Sequence, residues 1–166
     1  QEFRGDSKEE VILKALAKYE GSWRRMEYRG RFQIPDSRFQ ILVYDDYAHH
    51  PTEIRATLQA FREKFPKSQL ICVFQPHQAE RLKGLFQEFV GAFGAADKVV
   101  ILDVFRVKGR EDGVLREISS ADLAEKLNKH SGIEKAVYLP QPDRLKAVVE
   151  EIVTKSGPKE AVVIMM

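Results

Sequence analysis

Apolar positions along this chain follow two spacings in turn, one typical of strands and one typical of helices. Short, nearly continuous apolar runs predict strands at residues 39–45, 70–74, 98–105, 135–139 and 161–166, and residues 24–29 alternate like a shorter strand. Apolar residues at helical spacing predict helices at 8–20, 51–65, 78–91, 119–127 and 143–155. This order indicates an α/β domain in three layers, with a mostly parallel sheet of about six strands and helices on both faces.

Capping residues mark where several helices begin or end. Ser7 and Glu10 fit a capping box at the start of the first helix, and Gly21 is placed to end it. Pro51 suits the first turn of the second helix, and Ser119 is placed to cap a later one. These signals agree with the boundaries that the apolar spacing predicts.

Composition excludes several functional classes. With 166 residues and 43% hydrophobic content, the chain can form one domain with a full core. Its 27 Lys and Arg against 25 Asp and Glu leave a net charge of +2, which argues against nucleic acid or an anionic membrane as partner. The single cysteine, Cys72, lies in an apolar run and is expected to be a buried hydrophobe. No apolar run approaches the roughly 20 residues of a membrane span, so a cytoplasmic soluble domain is expected.

The most informative stretch follows the strand at 39–45. Asp46, His49 and His50 lie between that strand and Pro51, so half of the four histidines occupy one loop at a strand's carboxyl end, where ligands of α/β proteins usually bind. A carboxylate there can accept hydrogen bonds from ribose hydroxyls, and a histidine before a helix can help hold an anion. A capped turn with exposed histidines explains the residues equally well. A metal site is the weaker interpretation, because no third ligand stands at a suitable spacing.

Two other stretches carry related signals. Phe74-Gln75-Pro76-His77 places a histidine directly after the next buried strand, with Arg81 one helical turn further along. Arg81 could pair with a carboxylate or phosphate at the same sheet edge, or form an ordinary surface ion pair. Gly21-Ser22-Trp23-Arg24-Arg25-Met26-Glu27 has arginines that could stack on a base or bind phosphate, or simply line a strand.

Motifs for self-contained catalysis are missing from the sequence. It contains no Gly-x-x-x-x-Gly-Lys-Ser/Thr phosphate loop, no Gly-x-Gly-x-x-Gly fingerprint and no Cys-x-x-Cys pair. No Ser/His/Asp set can be identified either. The three stretches therefore indicate binding more directly than they indicate a complete catalytic centre.

In their order, the three stretches resemble the carboxyl-terminal domain of the Mur ligases. The resemblance is carried by residues 21–27, by Asp45-Asp46-Tyr47-Ala48-His49-His50-Pro51-Thr52-Glu53, and by Phe74-Gln75-Pro76-His77 with Arg81. It covers roughly residues 8–166 and is greatest for the members that join L-alanine to UDP-N-acetylmuramate. It implies a Rossmann-like domain.

The resemblance also implies an activity, namely ATP-dependent amide bond formation in peptidoglycan precursor synthesis. In this family the muramate carboxylate becomes an acyl phosphate, which the amine of L-alanine attacks. An amino-terminal domain binds the UDP-sugar, a central domain holds the phosphate loop and Mg²⁺, and the carboxyl-terminal domain closes over both. Residues 1–20 are accordingly expected to be a linker and helix from the end of the central domain, and 21–166 the carboxyl-terminal domain. The other domains would be partners in cis, and this piece, which we expect to be cut after Met166, would be inactive alone.

Residue roles follow from the resemblance position by position. Arg25 matches the arginine that contacts the ATP nucleotide, and Asp46 matches the acid that binds the ATP ribose. The loop that meets the amino acid and the reacting carboxylate contains Tyr47, His49 and His50, with His49 the candidate general base. The second loop, which holds the amino acid or the acyl-phosphate oxygens, contains His77 and Arg81. These are binding and electrostatic roles that orient reactants and offset negative charge; none requires a general base, and His49 is the residue to test for one.

The chain departs from the family pattern at two places. Gln78, Ala79 and Glu80 stand where the family commonly has arginine, tyrosine and threonine. The lost positive charge is expected to alter affinity for the amino acid or phosphate. Residues 106–110 also lack the usual small, acidic pattern, which is compatible with a divergent lineage or with a changed substrate.

Overall fold

One six-stranded sheet forms the centre of the molecule, for which the computed structural model describes residues 7–18, 21–35, 37–105, 118–157 and 160–166. The strands are β1 (Glu27–Gln33), β2 (Gln40–Asp45), β3 (Gln69–Phe74), β4 (Lys98–Leu102), β5 (Ala136–Leu139) and β6 (Glu160–Met165). Their order across the sheet is β1-β2-β6-β3-β4-β5, and only the β1–β2 pairing is antiparallel. The predicted mostly parallel sheet of about six strands is confirmed.

Helices connect the parallel strands. They are α1 (Lys8–Ala17), α2 (Pro51–Lys64), α3 (Ala79–Gly84), α4 (Phe86–Val90), α5 (Ser120–Ser131) and α6 (Leu145–Ser156), the last preceded by a 3₁₀ turn at Pro142–Arg144. The predicted capping boxes of α1 and α5 are present, with Ser7 and Ser119 as the capping residues. Pro51 occupies the first turn of α2, as its fixed φ favours.

Alternate strand residues pack into two apolar layers, one on each face of the sheet. The larger layer joins Phe61 of α2, Phe89 of α4 and Leu127 of α5 to one side of the strands. The smaller layer packs α6, through Val149 and Val153, on the other side. Helices on both faces are therefore confirmed. Cys72 lies fully buried in the larger layer, and burial raises the pKa of its thiol, in agreement with a role as a small hydrophobe.

Several predicted elements have the wrong boundaries, among them the helix predicted to end at Leu127, which continues as α5 to Ser131. The strand expected at 24–29 begins only at Glu27, because Arg24 and Met26 have positive φ angles that no strand accommodates. The helix expected at 78–91 is interrupted at Leu85, directly after Gly84 of α3, and continues as α4. The strand expected at 98–105 ends at Leu102, which pairs with the last residue of β5 and leaves 103–105 without a partner strand.

The amino-terminal helix α1 lies outside both apolar layers. None of its residues is buried, and Val11, Ile12, Leu13 and Leu16 are more than half exposed. It ends at Ala17, with Lys18 as its C-cap residue, three residues before the predicted end at residue 20. Residues 106–110, which depart from the family pattern, lie outside the described part. The assignment of α1 to a preceding domain stays a prediction. No helix within the described ranges is long and apolar enough to cross a membrane.

Candidate functional site

Three loops meet where β2, β3 and β4 end, at the carboxyl edge of the sheet. Tyr47, after β2, has its ring centroid 6.5 Å from that of His77, after β3, and His77 lies 5.8 Å from Phe105, after β4. The end of β6 joins the first two loops, because Met165 O accepts from Asp46 N at 2.9 Å and Met166 O accepts from Gln75 N at 2.9 Å. The structure thus brings together the histidines of two successive loops.

Asp46 lies beneath this site, with only 2% of its surface exposed. Its carboxylate accepts hydrogen bonds from Met26 N at 2.8 Å, Ala48 N at 2.9 Å and Thr57 Oγ1 at 3.2 Å. Arg25 Nη1 lies 3.7 Å away and partly offsets the buried charge. The observed carboxylate is committed to internal donors, so it shapes the loop; its contact with a ribose stays a prediction.

His50 and Glu53 close the amino end of α2. Nδ1 of His50 accepts from Thr52 N at 3.3 Å, while Glu53 Oε2 accepts from His49 N at 3.1 Å and His50 N at 3.3 Å. The backbone hydrogen bond from His49 is the largest cause that lowers the pKa of Glu53, and burial opposes it. Sequence reasoning gave Glu53 no role, although a capping residue followed by glutamate three positions later is a recognisable signal.

A Glu53→Gln substitution is expected to lower the free energy of unfolding at pH 7 by about 0.5–1 kcal/mol, because a charged capping acceptor becomes neutral. The folded pKa lies below the ordinary value of 4.5, so this stabilisation is present above that value and is lost as the pH falls through the folded pKa. Urea denaturation at several pH values measures the difference. Glu63→Gln, on the exposed surface of the same helix, is the matched control, and an unchanged difference at acid pH would contradict the assignment.

One imidazole nitrogen of His49 is held within its own loop. Its Nδ1 lies 2.9 Å from the carbonyl oxygen of Tyr47, which can only accept, so this nitrogen carries the proton. In the neutral ring, Nε2 then holds the lone pair. The Tyr47 ring packs edge-on against His49, with centroids 5.2 Å apart. The arrangement gives His49 the tautomer that a general base requires.

Arg25 places a partly accessible cation beside the same loop. Its guanidinium lies 3.7 Å from Asp46, 3.8 Å from Glu53 and 5.9 Å from the centre of the Tyr47 ring, with 45% of the side chain exposed. These distances hold the side chain near the loop without two-point hydrogen bonding to either acid. An anionic ligand could therefore reach Arg25 at little cost.

His77 and Arg81 supply the opposite side. Burial is the main cause that lowers the pKa of His77, and His49, Arg24 and Arg81 add to it, so the imidazole is mostly neutral at pH 7. Arg81 is half-buried, and its guanidinium makes no hydrogen bond or ion pair with the residues that the structure describes. A neutral ring beside an unpaired guanidinium suits a carboxylate or phosphate ligand.

An open cleft of 450 Å³ adjoins these residues. Its lining includes the polar residues Arg24, Asp45 and His77 and the apolar residues Val73 and Met165. Arg24 was not singled out from the sequence, because nothing in the spacing separates it from Arg25. The structure gives it two contacts with Asp45, from Nε at 3.1 Å and from Nη2 at 3.4 Å.

The three residues that depart from the family pattern, Gln78, Ala79 and Glu80, lie at the start of α3. Gln78 is the N-cap residue but makes no side-chain capping hydrogen bond, and Gln78 and Glu80 are exposed. Arg81 is therefore the one basic residue in the first three positions of α3. Among the described residues, no group of three or more His, Cys, Asp or Glu is arranged to hold a metal ion.

Comparison with known proteins identifies the family to which this sequence is similar. The model of the Mur ligase glutamate ligase domain matches residues 30–165. A UDP-N-acetylmuramate–L-alanine ligase of Clostridium kluyveri is 42% identical over 118 residues, which are 71% of this chain and 24% of that protein. The ligase of the same name from Bdellovibrio bacteriovorus is 40% identical over 134 residues, 81% of this chain and 27% of that protein. The chain thus spans about a quarter of the length of these curated relatives.

Two solved structures of ligases are similar to this chain in fold. The crystal structure of a UDP-N-acetylmuramate-alanine ligase from Thermotoga maritima superposes with a TM-score of 0.64 at 27% identity, covering 96% of this chain and 30% of that one. A murein peptide ligase from Psychrobacter arcticus gives a TM-score of 0.55 at 25% identity, covering 94% and 29%. Both similarities extend over nearly the whole of this chain and less than a third of the other.

Proposed function

The chain belongs to the Mur ligase family, and we propose that it provides the nucleotide- and amino-acid-facing side of an ATP-dependent ligase. The proposed reaction joins L-alanine to UDP-N-acetylmuramate through an acyl phosphate, in peptidoglycan precursor synthesis. One observation supports the proposal: two imidazoles and a tyrosine from the loops after β2 and β3 meet the partly exposed guanidinium of Arg25 at the carboxyl edge of the sheet, and the charge of Arg81 in α3 acts on His77. The names of the relatives supply the substrate pair.

The nucleotide side of the proposed site is built around Arg25. Its accessible guanidinium can contact ATP phosphates, while Asp46 and Glu53 limit its movement. Asp46 either shapes this loop alone or also binds the ribose, as the family resemblance implies. When bound, ATP supplies the phosphoryl group that activates the muramate carboxylate. Mg²⁺ is expected to accompany ATP, with ligands in the other domains of the family.

The amino-acid side of the proposed site is formed by the two histidine loops. Arg81 and His77 would hold the carboxylate of L-alanine or the acyl-phosphate oxygens, and Tyr47 and His50 would line the approach of the amine. As the amine attacks, the new C–N bond forms, the C–O bond to phosphate breaks, and the amine loses a proton. His49, with its Nδ1 bonded to the Tyr47 carbonyl, can accept that proton at Nε2.

The replacements at 78–80 favour one alternative, a Mur-type ligase that uses another amino acid or a peptide. An exposed, uncharged Gln78 beside Arg81 gives a carboxylate one cation fewer than the family pattern provides. A noncatalytic nucleotide- or partner-binding module is the alternative from a different class. The same assay separates all three.

Activity of the full-length polypeptide tests the proposal. We expect ADP release that requires both UDP-N-acetylmuramate and L-alanine, and a phosphate loop with Gly-Lys-Ser/Thr upstream of this domain. Glycine, L-serine and the tripeptide L-alanyl-γ-D-glutamyl-diaminopimelate serve as competing substrates, and omission of the UDP-sugar is the blank. A preference for a competing substrate would favour the other ligase, whereas no ADP release with any pair would favour the noncatalytic module.

A further inference from the structure

We propose that Arg24 is a positioning residue of this site: its guanidinium, held by Asp45, fixes the Tyr47 ring and so sets the surface that meets the reactants. The inference rests on the proposed function, since Tyr47 belongs to the loop that would line the approach of the amino acid. Arg24 itself need not touch a substrate for this role.

The backbone at residues 22–26 is arranged to present Arg24. Arg24 and Met26 have φ angles of 52° and 46°, a left-handed backbone conformation that is unfavourable for residues other than glycine. Strained backbone of this kind persists where surrounding contacts determine it, and it concentrates at functional sites. Here the contacts come from the neighbouring loop: Tyr47 N donates to Arg24 O at 2.7 Å, and Met26 N donates to Asp46 at 2.8 Å.

The side chain of Arg24 is fixed at its head. Two guanidinium nitrogens lie 3.1 and 3.4 Å from the two oxygens of Asp45, a two-point contact that a lysine could not make. Its central carbon lies 5.1 Å from the centre of the Tyr47 ring and 5.7 Å from that of Trp23, within the range of cation–π attraction. Tyr47 is thus held by the backbone and through its ring by the same residue.

Arg24 and Arg25 differ in exposure and in how closely they contact acidic residues. Arg25 lies 5.9 Å from the Tyr47 ring, makes looser contacts with two acids and is more exposed than Arg24, with 45% against 28% of the side chain accessible. The tighter, less exposed arginine is suited to holding protein groups, and the looser one to receiving a ligand. The charge of Arg24 also contributes to the lowered pKa of His77, after the larger effects of burial and His49.

The position of Tyr47 matters because its ring spans the two histidines. Its centroid is 5.2 Å from His49 and 6.5 Å from His77. Loss of the Arg24 contact would free a ring that is nearly half exposed and would disturb both spacings. Rates of reactions between positioned groups are sensitive to such displacements.

Nuclear magnetic resonance of this chain tests the inference without any enzymatic activity. In Arg24→Gln, Arg24→Lys and Asp45→Asn, cross-relaxation between the Tyr47 and His77 rings is expected to fall at least about threefold, because the two-point contact is lost. Trp23 is the only tryptophan, so its emission reports the same stack directly. Arg31→Gln, an exposed arginine paired opposite Leu42 and farther from the edge, is the matched control.

Two further measurements separate positioning from simple stability. The double variant Arg24→Gln/Asp45→Asn is expected to lose no more ring contact than the worse single variant, because both act through one interaction. In the full-length ligase, Arg24→Gln should lower kcat about tenfold with little change in the KM for ATP. Circular dichroism melting identifies any variant that fails to fold, and Arg24→Lys then replaces Arg24→Gln in the comparison.

Failure of the inference and failure of the proposed function look different. An active wild-type ligase whose Arg24→Gln and Arg24→Lys variants keep wild-type ring contacts and kcat would overturn the inference alone. An inactive wild-type polypeptide would overturn the proposed function. Unchanged ring contacts in the folded Arg24 variants would overturn the inference in that case too.

Discussion

Replacing Asp46 with alanine is expected to lower the free energy of unfolding of this chain by about 2–4 kcal/mol, since two backbone amides lose their buried acceptor. Met26 N and Ala48 N both donate to this carboxylate, and Thr57 adds a third hydrogen bond. The removed acid also holds Met26 in its left-handed conformation. Urea denaturation followed by circular dichroism measures the loss.

Asp143→Ala is the control for this substitution, because Asp143 is exposed in the 3₁₀ turn before α6. It is expected to change the free energy of unfolding by less than about 0.5 kcal/mol. In the proposed full-length ligase, Asp46→Ala should also raise the KM for ATP, since Arg25 loses one of its two acidic neighbours. An Asp46→Ala variant that is as stable as wild type and has unchanged kinetics would contradict both the structural role of Asp46 and its binding of ribose.

In the proposed full-length ligase, Arg81→Ala is expected to lower kcat/KM for L-alanine by about 5- to 150-fold, the loss that corresponds to about 1–3 kcal/mol for a charged hydrogen bond. The described residues leave this guanidinium unpaired at the site, so the missing partner would be the ligand. Steady-state kinetics with varied L-alanine measures the change.

Arg81→Lys keeps the positive charge but lacks the planar guanidinium, so its kcat/KM for L-alanine should lie between the values of wild type and Arg81→Ala. Arg31→Ala, on the exposed surface of β1, is the matched control and should leave kcat/KM unchanged. Equal kinetics for Arg81→Ala and Arg31→Ala would show that Arg81 is an ordinary surface residue. An effect confined to the KM for ATP would move it to the nucleotide side.

Periodicity was enough to predict the layers and most of the strands, because burial on two faces leaves a direct mark in the sequence. Continuous apolar runs identified β3 and β4, whose residues are covered on both sides. Capping residues likewise located the starts of α1 and α5, since they depend on side chains three positions apart, and Pro51 located the start of α2.

Long-range contacts set the features that the sequence could not predict. Arg24 and Met26 take a conformation typical of glycine because Asp46 and Tyr47, some twenty positions later, hold their backbone. From the sequence, Asp46 is interpreted as a carboxylate that binds a ligand at a strand end, yet in the structure this carboxylate accepts hydrogen bonds from amides inside the protein. The break at Leu85 has only Gly84 as a local signal, and a glycine inside a helical pattern is often tolerated.

The place of β6 in the sheet has a consequence for how the domain folds. Its Glu160 pairs with Gln40 on one side, and its Ala161 pairs with Gln69 on the other, across separations of 160 − 40 = 120 and 161 − 69 = 92 residues. Closing such long loops is entropically costly and slows folding. During synthesis on the ribosome, the edges of β2 and β3 that pair with β6 would stay unpaired until β6 has been synthesised. The two histidine loops would therefore take their final arrangement among the last steps of folding.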